Sequence, residues 1–111
     1  MAEMQLKLSP VELAEYADWI SEFVKSKGFH TPCNIDDAEG MLAKLMLVVT
    51  EVSEAAEAVR NGDHENFCEE LADAMIRLLD IFGAMHEAPH YWLDWKMQRN
   101  MEREHKHGKV C

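Results

Sequence analysis

Four acids in two closely spaced pairs hold the clearest chemical potential of this 111-residue chain: Glu51 with Glu54, and Glu70 with Asp73. Members of each pair share one side of a helix, about 4.5 Å apart in rise at 1.5 Å per residue. Asn61-Gly62-Asp63 lies between the pairs and supplies the residues of a tight helix-to-helix connection. Folded about Gly62 into an antiparallel hairpin, Glu54 comes level with Glu70 and Glu51 with Asp73, so the four carboxylates can surround one point between the arms. Anions that close raise one another's pKa and cannot all stay ionised without a cation. Their hard oxygens suit Mg²⁺, with waters completing an octahedron, or Mn²⁺ as a substitute. An isolated E-x-x-E is commonly a solvated helix face. The second pair at matching height favours the metal site.

Helices are the elements that must position these acids. Ser9-Pro10-Val11-Glu12 reads as an N-cap, a proline at the first helical position and a reciprocal acid. A first helix is therefore expected from Pro10 to about Lys27, with Leu13, Ala17, Ile20 and Val24 at helical spacing and Gly28 closing it. Phe29 to Asn34 should be a loop. Asp36 or Asp37 caps a second helix whose seam runs Met41, Leu45, Val48, Val52, Ala55 and Val59. Asp63 caps a third, running to about His86, and Pro89 opens a fourth carrying Tyr91, Trp92, Trp95 and Met97. The expected fold is an all-α four-helix bundle, one domain over residues 1–111.

The third helix is apolar over more than half its circumference, so it must be covered on two sides, and a homo-oligomer, dimer or tetramer, is expected. Its polar positions form one stripe: Glu70, Asp73, Arg77 and Asp80. Arg77, one turn beyond Asp73, could reach a phosphate, but the plainer expectation is an ion pair with Asp73 or Asp80. Lys44, as far from Gly62 as Asp80 is, should pair with Asp80 at the end of the bundle.

Eleven Lys plus Arg against 21 Asp plus Glu leave a net charge of −10, with no basic block, which excludes a nucleic-acid polymer as partner. No apolar run reaches the length of a membrane span, and Glu3 and Lys7 stand where a signal peptide needs an apolar stretch. A cytoplasmic protein is expected. Cys33, Cys68 and Cys111 form neither a disulfide framework nor a zinc knuckle.

Glu51-Val52-Ser53-Glu54 followed by Glu70-Leu71-Ala72-Asp73 resembles the E-x-x-E…E-x-x-D signature of the MazG-like, all-α nucleoside triphosphate pyrophosphohydrolases. The run Lys44 to Thr50 is similar to the apolar stretch before that family's first acids. Lys96…Asn100…Arg103…His107-Gly108-Lys109 is similar to its C-terminal pattern. Where the commonest version doubles the first acid, this chain has Thr50. The resemblance implies cleavage of a nucleoside triphosphate between the α and β phosphates, giving a monophosphate and pyrophosphate in nucleotide-pool house-cleaning. It also implies Mg²⁺ held by Glu51, Glu54, Glu70 and Asp73 as the catalytic and metal-binding set.

Lys96, Asn100 and Arg103 share one helical face and could hold the phosphates, with Lys109 closing over them; spacing alone reads equally as a solvated flank. His30, in a His-Thr-Pro-Cys-Asn segment resembling the H-x-P-x-N of the branch acting on deoxycytidine triphosphate, is the candidate on the base side. Trp19, Phe29, Tyr91, Trp92 and Trp95 could stack on a base, although aromatics at helical spacing are usually core. Two rivals stand beside the hydrolase. A di-iron carboxylate bundle needs two Glu-x-x-His motifs, and the helices bearing the acids offer none. A non-catalytic helical interaction module would carry the same acids as surface. Phosphoribosyl-ATP pyrophosphohydrolase shares the scaffold, with no feature here favouring its substrate.

Overall fold

The computed structural model describes residues 10–107, with side chains from 12 to 103. Four helices account for these residues, α1 (Pro10–Ser26), α2 (Ala38–Arg60), α3 (His64–Met85) and α4 (Pro89–His107), and there is no strand among them. The fold is all-α. Of the two candidate caps for α2, Asp37 takes the role, its side chain accepting from the Gly40 amide at 3.1 Å. Asp63 caps α3 by accepting from the Asn66 amide at 3.0 Å. Gly62 adopts φ 66°, the left-handed turn that reverses the chain between α2 and α3. The expected Ser9 cap lies outside the described residues. The end of α3 carries no sequence signal of its kind: His86 takes the left-handed position at φ 57°, where a glycine is usual.

The arms α2 and α3 pack against each other, α1 packs against α3, and α4 packs against α1. Small residues set these distances. Ala55 and Ala58 on α2 and Ala74 on α3 are buried, and Gly83 lets α1 approach so closely that a Cβ there would run into the Ala17 carbonyl. The seam expected for α2 is corrected accordingly. Its inward face runs Met41, Glu51, Ala55 and Ala58, while Leu45, Val52 and Val59 point outward. Two long arms held by a short link come too close for branched side chains between them, so the larger residues occupy the flanks. Met46 and Val49 on α2 and Leu71 and Met75 on α3 extend this exposed apolar surface. The aromatics are likewise outside: Trp19, Phe29, Tyr91, Trp92 and Trp95 are all exposed.

The loop between α1 and α2 is pinned to the far end of α3. Pro32 is fully buried, and the Thr31 hydroxyl donates to Asp80 Oδ2 at 2.6 Å. Asp80, only 4% exposed, is therefore served by a neutral donor and not by Lys44, which pairs with no acid among the described residues. The folded-over loop takes the place the lysine was expected to fill. No helix among the described residues is long and apolar enough to cross a membrane.

Candidate metal centre

Glu51 occupies an inward position of α2, one turn before Ala55, and is 8% exposed. Such burial is costly for a carboxylate unless it is paired. Across the interface α3 presents Glu70 and Asp73, and one carboxylate oxygen from each of Glu51, Glu70 and Asp73 falls within 4.8 Å of the others. Hairpin symmetry about Gly62 thus brings these three together. Glu54 is exposed and stands just outside that group, but its charge still acts on Glu70.

Glu70 registers the crowding. Its carboxyl is pushed up to about 7 from 4.5, first by burial, then by a hydrogen bond with Glu51, then by the charges of Glu54, Glu51 and Asp73. Its Oε1 is shielded from solvent and meets no donor. An oxygen in that state is placed for a cation, and in the cation's absence a proton partly takes over the charge. The cluster is made of carboxylates alone, a hard oxygen set that fits Mg²⁺ or Mn²⁺.

Arg77 is the neighbour of this cluster that the sequence pattern assigned to other partners. Its Nε donates to Glu51 Oε2 at 2.8 Å, across the hairpin, and not to Asp73 or Asp80 on its own helix. Helical side chains lean toward their own N-terminus. In an antiparallel pair Glu51 and Arg77 therefore lean toward each other, a tilt that equal heights of backbone ignore. Thr50 returns its hydroxyl to the Met46 carbonyl within α2 and takes no part in the cluster.

The remaining candidates stand apart from the acids in a single copy. Lys96, Asn100 and Arg103 belong to α4, which packs against α1 with no comparable packing against α2 or α3. Lys109 lies outside the described residues. His30 lines an open cavity of about 730 Å³ with Lys25, Thr31, Gly83 and His86. Gly83 is ten residues beyond Asp73, roughly 15 Å along α3.

A family model described as "MazG nucleotide pyrophosphohydrolase domain" matches residues 39–106, more than half of the chain. The chain belongs to the MazG family. Its acid pairs fall inside the matched stretch, as do Arg77 and the three polar residues of α4, whereas His30 and Lys109 fall outside it. The MazG family is one of metal-dependent nucleotide hydrolases, and this member carries a cluster of acids inside the matched stretch. No curated protein and no solved structure matches the chain.

Proposed function

We propose that this MazG-domain protein hydrolyses a (deoxy)nucleoside triphosphate between its α and β phosphates, yielding a nucleoside monophosphate and pyrophosphate. The observation that carries the reading is the convergence of Glu51, Glu70 and Asp73, with a shielded, donorless oxygen on Glu70, within a MazG domain. Glu54 completes the ligand and catalytic set from the rim. Held there, Mg²⁺, or Mn²⁺ in its stead, supplies positive charge against the phosphate oxygens and acidifies water for attack. The chain's own part is to hold that charge. With a net charge of −10 it would otherwise repel the substrate.

Lys96, Asn100, Arg103 and Lys109 are assigned to the phosphates and His30 to the nucleoside end. Because α4 packs against α1 and not, to a comparable extent, against the helices that bear the acids, these groups complete a site only when copies assemble. A homodimer or homotetramer, formed over the exposed apolar flank of α2 and α3, provides that assembly and covers Leu45, Val49, Val52, Leu71 and Met75. The working place is the cytoplasm, which suits the free thiols Cys33 and Cys68, and the role is removal of surplus or damaged nucleotides.

A panel of canonical and modified (d)NTPs, incubated with Mg²⁺ and scored for pyrophosphate against orthophosphate, tests the reaction. Pyrophosphate with monophosphate is expected. Orthophosphate from terminal cleavage overturns the mechanism. Sedimentation at micromolar concentration should show a species larger than the 12.8 kDa monomer.

A further inference from the structure

We infer that Arg77 is the positioning residue of this centre: its guanidinium fixes the orientation of Glu51, so that one carboxylate oxygen is committed to the arginine and the other is left to face the cation site. The inference rests on the reading of the acid cluster as a metal centre. Its starting point is the geometry of a single contact, Arg77 Nε to Glu51 Oε2 at 2.8 Å, between helices and not along one.

Three features separate this contact from an ordinary surface ion pair. The Glu51 side chain is only 10% exposed and that of Arg77 40%, so the pair is screened on the acid's side. Glu51 is also a member of the converging group, with an oxygen within 4.8 Å of those of Glu70 and Asp73. Finally, Arg77 engages none of the other acids of the group, although Asp73 lies one turn away on the same helix. A planar donor holds a carboxylate in one plane more tightly than a flexible ammonium can. Groups that orient a ligand in this way are worth about 10- to 100-fold in metal affinity or activity.

Two other accounts of Arg77 make different predictions. As a point charge close to the cation site it should weaken cation binding by repulsion, so its removal should tighten binding. As a phosphate contact it should set KM for the nucleotide and leave metal affinity in the free protein alone. A positioning residue does the reverse of both. Its removal loosens the metal, lowers kcat at limiting Mg²⁺, and leaves nucleotide KM within about twofold at saturating Mg²⁺.

The test is Mn²⁺ binding to the full chain without nucleotide, followed by electron paramagnetic resonance, for the wild type, Arg77→Met and Arg77→Lys, with helical content checked by circular dichroism. Arg77→Met is expected to bind Mn²⁺ about tenfold or more weakly, with Arg77→Lys recovering only part of the loss. Equal or tighter binding by Arg77→Met overturns the inference while leaving the metal centre standing, as does full recovery by Arg77→Lys, which would reduce the arginine to its charge. A wild-type protein that binds no Mn²⁺ overturns the metal centre and this inference together. Should Arg77→Met fail to fold, Arg77→Lys decides: wild-type affinity overturns the inference, and weakened affinity supports it.

Discussion

At one end of α3, Glu70 and Asp73 face Glu51 across the hairpin, Arg77 donates to Glu51, and burial and the neighbouring acids push the Glu70 carboxyl up to about 7. At the other end Asp80 is buried more deeply than any of them, yet one hydroxyl, that of Thr31, serves it beneath a loop anchored by Pro32. Both ends bury carboxylates on the same helix. The first gathers like charges, while the second isolates one acid and packs around it, with Gly83 bringing α1 into contact; each leaves one shielded oxygen, on Glu70 and on Asp80, without a donor. Burial of an acid is therefore no sign of function by itself. What distinguishes the acid cluster is the number of carboxylates that converge.

Mutations at the two ends should separate activity from stability. Asp73→Asn should lower pyrophosphate release by about a thousandfold, in keeping with loss of a charged group that acts on the transition state. It should leave the helical content unchanged by circular dichroism. Unaltered turnover would erase the distinction between the ends. Gly83→Val should act the other way, costing about 3 kcal/mol because its side chain meets the Ala17 backbone. Urea unfolding reads that loss, and a variant as stable as the parent would show that α1 does not rest on α3 in solution. Thr31→Val should be milder, about 2 kcal/mol, since it leaves the buried Asp80 carboxylate without its donor.

The smallest expected effects are those of pH, and they belong to the acid cluster alone. Glu70 holds its proton more tightly in the folded protein, about 7 against 4.5. Its contribution therefore favours the folded state at low pH and is lost as pH rises from 4.5 through 7. Thermal melts of metal-free protein across that window should fall more steeply for the wild type than for Glu70→Gln, and Mg²⁺ should remove the difference. Calorimetry of Mg²⁺ binding below pH 7 should also register proton release, which Glu70→Gln abolishes. Identical profiles for the two proteins would mean that Glu70 titrates as an ordinary surface acid.

Local chemistry made much of this legible in the residues. Asp37, Asp63, Gly28 and Gly62 punctuate the helices where capping and left-handed turns require them. The short connection at Gly62 brings Glu51, Glu70 and Asp73 together because two antiparallel arms joined by so few residues are tightly restricted in register. Periodicity, by contrast, misplaced the inner face of α2. It reports where large apolar residues lie, and here close packing put alanines inside and left Leu45, Val52 and Val59 on a flank that calls for another surface.

The sequence by itself determined the helices, the turn between the acid pairs and the carboxylate chemistry, since each depends on residues near one another in the chain. Tertiary structure alone decided that Arg77 serves Glu51, that Thr31 and not Lys44 serves Asp80, and that α4 packs against α1 instead of on the hairpin. Those outcomes depend on side-chain tilt across an interface and on where a loop folds back. Neither is encoded in the spacing of residues along one helix.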